Sequence, residues 1–273
     1  MKRALPAIGV LMVVGLPMMA AVAGVSEEER MPQGRMGGLS DEQIASLNTD
    51  YDGRFIFARV KFTPTNSGGS RGRGGRGGWS RDVKWDHDYP RAENNLAQII
   101  RNITLIDNYM DGGNIINIGD PELFKYPWAY LCEPGFWSST DEELENLRNY
   151  LFKGGFLVID DFFGNHWYNF AVMMERLLPE YQMHRLDASH PIFNIFFEIE
   201  DLGMLMPRNR REDPAYFGVF EDNDPEKRLM IIINYDNDIG DWWEWSDMAY
   251  TPIELSNEAY KLGINYLIYS MSH

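Results

Sequence analysis

The stretch GGFLVIDDFFGNHW, residues 154–167, runs four apolar residues into two adjacent carboxylates, Asp160 and Asp161, and reaches an imidazole at His166. Carboxylates and an imidazole can move protons, ligate a metal or hold a cationic group. Comparable polar groups follow other apolar runs. Cys132 and Glu133 follow AYL, and Asn234, Asp236 and Asp238 follow MIII in NYDNDIGDWWEW. His190 precedes Pro191 after YQMHRL. Trp128, Trp137, Trp167, Trp242, Trp243 and Trp245 lie in or near the same loops.

Three chemistries compete for these residues. Asp160, Asp161, His166, His190 and Asp236 could supply oxygen and nitrogen ligands to a metal, but their spacing fits no metal motif, and DNDIGD lacks the terminal Glu of an EF-hand loop. Cys132 could be a nucleophile at a strand-to-helix elbow. Against this, Glu133 would raise its pKa and Pro134 removes an N–H that an oxyanion hole could use. Aromatic rings beside carboxylates and amides also suit a non-catalytic pocket, or simply a hydrophobic cluster under long loops.

Elements must bring such distant residues together. FIFARVKF (55–62), NIINI (114–118), WAYLC (128–132), FLVIDD (156–161), YQMHRL (181–186), FGVF (217–220) and LMIIINY (229–235) read as strands. Between them, AENNLAQIIRNI (92–103) carries apolar residues at helical spacing. STDEELENLRNYLFKGG has a Ser139 or Thr140 cap, three acids in its first turn and Lys153-Gly154 at its end. NFAVMMERLLPE and NEAYKLGINYLIYSM complete the helices. Strands alternating with helices, several of them apolar throughout, predict an α/β fold: a doubly wound, mostly parallel sheet with helices on both faces. Ligands of such folds sit at the carboxyl ends of the strands. The candidate binding residues are therefore Glu133, Asp160, Asp161, His166, His190, Asn234, Asp236 and Trp137. One acid of the 160–161 pair is expected to face the crevice and the other to cap the next element, because strand side chains alternate. No Gly-rich dinucleotide or phosphate loop follows any strand, and no cofactor is expected.

The order DPELFKYPWAYL, EPGFW, LRNYLFKGGFLVIDDF, with WDHDYPRAENNL upstream and SHPIFN and NYDNDIGDWWEW downstream, resembles the bacterial domain of unknown function 4159 over roughly residues 54 to 270. The resemblance implies a class I glutamine amidotransferase-like, flavodoxin-like fold. Some relatives stand behind membrane-anchored segments and occur alongside MoxR-type ATPases and von Willebrand-type proteins, which implies a role at the cell envelope. It assigns no activity. Amidotransferases place their Cys in a Gly-x-Cys-x-Gly elbow, whereas Tyr130-Leu131-Cys132-Glu133-Pro134 has neither glycine, so no catalytic residue is carried over.

The N-terminus sets the compartment expected. Lys2 and Arg3, an apolar run and Ala21-Val22-Ala23 form a signal-peptide pattern, with cleavage after Ala23. Cleavage leaves 23 basic against 41 acidic side chains, a net charge of −18, which repels nucleic acid and anionic membrane surfaces. No membrane span is expected after cleavage. Cys132 is the only cysteine, so no intrachain disulfide can form. Residues 24–53 read as a linker with a short helix capped by Ser40, and residues 54–273 as a single domain interrupted by a flexible Gly/Arg-rich loop at 66–81. The expectation for function is an exported, non-catalytic module binding a protein or small molecule of the cell envelope. The alternative is a hydrolase using a carboxylate or metal-bound water at the acidic strand ends.

Overall fold

A computed structural model describes residues 36–65, 82–205, 213–248 and 251–273. The signal-peptide pattern and the Gly/Arg-rich stretch fall outside the described residues. In chain order the elements are α1 (Asp41–Ala45), β1 (Phe55–Lys61), β2 (Thr63–Pro64), α2 (Arg91–Ile103), β3 (Asn108–Asn117), β4 (Trp128–Cys132), β5 (Trp137–Ser138), α3 (Asp141–Phe152), β6 (Phe156–Phe162), α4 (His166–Leu177), β7 (His184–Leu186), β8 (Ala215–Phe220), β9 (Leu229–Tyr235), α5 (Ile239–Glu244) and α6 (Ile253–Ser272).

Seven strands form one sheet in the order β3-β1-β4-β6-β9-β8-β7, with β2 and β5 as a separate antiparallel pair. The pairs β3–β1, β1–β4, β4–β6 and β6–β9 are parallel. Strand β8 runs antiparallel to β9 and β7 antiparallel to β8. Numbered by their own succession, the five parallel strands stand in the order 2-1-3-4-5, so winding reverses between β1 and β4. Such a switch point opens a crevice at the carboxyl ends of the two strands. The fold is the mostly parallel α/β sheet that the alternating pattern predicts.

Both faces of the sheet are covered, which is why its strands are apolar throughout. Ile56, Ala58 and Val60 of β1, Leu131 of β4 and Ile159 of β6 pack with Leu147 of α3 and Phe170 of α4. On the other face, Phe57, Tyr130 and Val158 pack with Leu96 of α2, Trp243 of α5 and Tyr266 of α6. Local signals explain the helix starts. Thr140 accepts from the Glu143 N–H while the Glu143 carboxylate accepts from the Thr140 N–H, and Ser40 and Gln43 do the same for α1. Packing begins upstream of Arg54: Met36 and Ile44 are buried in the core, and Asn48 and Thr49 hydrogen-bond across to Ile115 and Asn114 of β3. No described helix is long and apolar enough to cross a membrane.

One charge is buried where the topology needs it. Arg59, on the face of β1 turned to α2, forms an ion pair with Glu93, and both side chains are fully buried. Its guanidinium also donates to the carbonyls of Trp85 (3.1 Å) and His87 (2.8 Å), holding the loop that follows residue 82 over the end of β4. Burial opposes the charge on Arg59, but Glu93 holds its pKa above the ordinary value. Burial likewise pushes Glu93 up against the pull of Arg59. Removing one partner strands the other, so Glu93→Gln should cost about 3–5 kcal/mol in urea unfolding. Replacing both, Arg59→Met with Glu93→Leu, should cost less than the two single changes added together; full additivity would show that the pair is not coupled.

Candidate functional site

The rim at the β1/β4 switch point is built from four segments whose backbones turn left-handed. Among the described residues, seven non-glycine residues have positive φ, and Lys84 (68°), Asp88 (65°), Glu133 (50°), Asp161 (58°) and Asp236 (53°) all belong to this rim. Such conformations cost free energy, less for Asp than for Lys or Glu, and cluster where side chains must be aimed.

Asp161 shows what the turn achieves. Ile159 pairs with Ile233 and Phe162 with Tyr235, so two residues of β6 oppose one of β9. This bulge carries the second acid. It breaks the alternation that would have sent Asp160 and Asp161 to opposite faces, and it turns Phe162 onto the face of Phe170 and Trp167. The expected division therefore holds only in part: Asp161 turns to the crevice, but neither acid caps α4, whose N-cap is Asn165 and makes no side-chain cap bond.

Asp160 is consumed by the fold. It is fully buried, and its carboxylate accepts from the Tyr130 hydroxyl (2.8 Å), the Asn234 amide (3.1 Å) and the Gly240 N–H (3.1 Å), tying β4, β9 and α5 to β6. Asn234 in turn accepts from Tyr266 of α6 (2.9 Å). Gly240 must be glycine here, because a Cβ would collide with the Asp88 carboxylate and come within 2.7 Å of the Tyr130 hydroxyl. Burial raises Asp160 to about 6, with these hydrogen bonds pulling the other way.

Above Asp160 the carboxylates crowd together. His87, Glu133 and Asp161 each place one donor atom within 4.8 Å of the others, as do Asp88, Asp161 and Asp238, and again Asp88, Asp241 and Glu244. His87 Nδ1 lies 3.1 Å from Glu133 Oε1 and 3.9 Å from Asp161 Oδ2, while its Nε2 faces Asp82 Oδ1 at 3.1 Å. Lys84 Nζ sits 2.8 Å from Asp82 and 3.8 Å from Glu133. The His87 side chain is 34% exposed and those of Glu133 and Asp161 are 9% exposed, so the cluster opens to solvent beside His87. Asp88 Oδ2, Glu133 Oε2 and Glu244 Oε1 are buried without a hydrogen-bond partner.

The electrostatics follow from burial and like charge. Burial, then Asp241, raises Asp88 to about 7; burial, then Asp88 and Asp241, raises Glu244 to about 8. Asp161 and Asp238 are pushed well above the carboxylate range by burial and by each other's neighbours, Glu133 and Asp88 among them. Burial works against the charge on His87, but the hydrogen bond and charge of Glu133 hold it protonated up to about 10.

The sequence candidates divide. Glu133 and Asp161 line the cluster, with Asp160 and Asn234 beneath it. Asp236 accepts from the Gly164 N–H (3.2 Å) and shapes the loop after β9. His166 is the first residue of α4; its ring packs between Phe136 (4.8 Å) and Phe163 (4.5 Å). His190 caps a 3-10 turn and packs on Phe220 (5.7 Å), which pairs with Leu229 at the opposite end of β9. Trp137 is fully buried in β5 and donates to Ser139, so it offers no face to a ligand. Cys132 donates to the Trp85 carbonyl (3.3 Å) beneath the loop, and burial pushes its thiol well up. Lys84, His87, Asp88, Asp241 and Glu244 did not emerge from the sequence. The D-H-D run at 86–88 and the acids spaced through DNDIGDWWE were the available signals.

Residues 73–271 match the model of a family described as Domain of unknown function (DUF4159), and the chain belongs to that family. The match spans Lys84 through Glu244 and thus the whole acidic cluster. No curated protein matches the chain.

The carboxyls of Asp88, Asp160, Asp161, Asp238 and Glu244 bind protons more tightly folded than unfolded. In chelator-containing buffer, stability should therefore fall as pH rises from about 4 to about 8. His87 acts in the same sense: its contribution is complete below its ordinary value of 6.5 and is lost as pH climbs towards about 10. Melting temperature against pH reads this directly, and a curve rising towards pH 8 would contradict the crowding. The two neighbouring acids should respond oppositely. Asp160→Asn turns an amide onto bonded donors and should destabilise by about 1–3 kcal/mol. Asp161→Asn relieves repulsion and should stabilise the metal-free chain at pH 8 by about 1 kcal/mol.

Proposed function

We propose that this member of the family is a non-catalytic binding module, exported to the cell envelope, that captures a compact cation or a cationic group at the carboxylate cluster of the β1/β4 crevice. One observation carries the reading. Among the described residues four buried carboxylate oxygens have no hydrogen-bond partner; one is on Glu93, whose charge Arg59 offsets, and the other three, on Asp88, Glu133 and Glu244, all belong to the crevice cluster. Buried polar atoms are seldom left so, and buried charges are normally paired or bound to a metal. Lys84 and His87 are the cations beside Glu133, and Arg59 is already spent on Glu93. A cationic ligand would supply the missing counter-charge. Acyl transfer through Cys132 finds no support, since its thiol is buried and its pKa is pushed away from thiolate formation. Export rests on the N-terminal pattern alone.

Thermal shift of the full chain with divalent metal salts, alkylammonium and guanidinium compounds, against sodium chloride at matched ionic strength, tests the site. A ligand at a hundredfold excess over Kd should stabilise by about 2.7 kcal/mol, and the Asp88→Asn, Asp161→Asn double variant should lose that gain. A wild-type chain that responds to no cation beyond the salt control would end the reading. Export is tested separately: cell fractionation should recover a chain shortened to Gly24, and an uncleaved cytosolic chain would refute it.

A further inference from the structure

Resting on that reading, we propose that the cation is a divalent metal and that the crevice holds two adjoining metal positions sharing Asp161. The first consists of His87 Nδ1, Glu133 and Asp161; the second consists of Asp88, Asp161 and Asp238.

The first position is argued from the orientation of His87. Asp82 engages Nε2 at 3.1 Å, which turns Nδ1 towards two carboxylates at 3.1 and 3.9 Å. A ring whose far nitrogen is held by a carboxylate is the usual arrangement of a metal-bound histidine, since that bond sets the tautomer and the plane. A bare Nδ1 lone pair facing two carboxylates would be repulsive, so a proton or a metal must lie between them. Metal bonds of about 2.0–2.2 Å to nitrogen and oxygen place neighbouring donors roughly 3–4 Å apart, the separations seen here. Lys84 takes no part as a ligand; its ammonium lies between Asp82 and Glu133 and over the Phe136 ring (4.4 Å), closing one side of the position.

The second position is made of oxygen alone. Asp88 is 6% exposed and its Oδ2 has no hydrogen-bond partner. That is an unusual state for a buried carboxylate, and one Asp88 oxygen lies within 4.8 Å of the donor atoms of Asp161 and Asp238. Asp238 already accepts from the Asp241 N–H (2.9 Å) through Oδ1, which fixes its rotamer and leaves its other oxygen for the cluster. Asp161 has two oxygens and sits between both sets, so its left-handed turn serves two positions at once. The donor sets predict different preferences. One nitrogen and two carboxylates suit zinc, cobalt or manganese, and three carboxylates suit calcium, magnesium or manganese.

Metal-free full chain titrated with Co²⁺ and, separately, with Ca²⁺ tests the assignment by calorimetry, with the visible absorption of bound Co²⁺ as a second readout. Two positions per chain are expected for Mn²⁺. His87→Ala should weaken Co²⁺ at least tenfold and alter its spectrum while leaving Ca²⁺ unchanged. Asp238→Asn keeps the cap acceptor and should weaken Ca²⁺ at least tenfold while sparing Co²⁺. Asp161→Asn should weaken both. His87 and Asp238 are partly exposed, so their variants keep the test alive should Asp161→Asn misfold, which circular dichroism would reveal. An unchanged Co²⁺ spectrum in His87→Ala, or a single Mn²⁺ per chain, would overturn the paired arrangement. If no metal binds but an organic cation still stabilises the wild type and not the double Asp variant, the metal inference falls and the binding-module reading stands; if neither binds, both fall.

Discussion

Everything at the crevice depends on one buried acid whose hydrogen bonds are all made within the protein. Asp160 accepts from a tyrosine on the strand beside it, an asparagine on the strand beyond, and a backbone N–H at the start of α5. Those bonds fasten three parallel strands and a helix at one height. With that floor in place, carboxylates that repel each other can be held close without the loops moving apart. The free energy of the floor and of the apolar faces opposes a repulsion that the loops alone could not withstand.

A second tie works from the other strand of the switch point. Arg59 reaches from β1 through the layer under α2, pairs with Glu93 and takes up two carbonyls of the loop carrying His87 and Asp88. The same loop closes over Cys132, whose thiol donates to the Trp85 carbonyl. Arginine suits this task because its planar guanidinium serves several acceptors at once and stays charged when buried. The loop is thus held by one internal cation while His87 and Asp88 join the carboxylate cluster. Arg59 and Glu93 neutralise each other as an ion pair and Asp160 is fully hydrogen-bonded, whereas Asp88, Glu133 and Glu244 each keep an oxygen without a hydrogen-bond partner in the acidic cluster.

Much of the architecture was legible in advance. The β4 and β6 strands read as apolar runs because both sheet faces are covered, and α1 and α3 announced themselves by capping residues and first-turn acids. The six-residue α5 was not legible, being too short for periodicity and dominated by tryptophan and acids. Two of the loop histidines misled for a common reason. Position just after a strand says little about which way a ring turns, and His190 follows a chain that doubles back along β8 to its far end, while His166 is drawn into an aromatic contact.

The amino-acid sequence by itself determined the α/β alternation, the apolar strands, the helix starts, the absence of any intrachain disulfide and the surplus of acid, because each follows from composition or from residues within a few positions of one another. Only the tertiary structure decided which acids meet. Residues 87, 88, 133, 161, 238, 241 and 244 come from four segments brought together by the winding order of the strands. Which of the paired acids joins the cluster turned on the handedness of one backbone residue, Asp161. Local patterning cannot encode that choice, since it is set by a bulge against a partner strand more than 70 residues away.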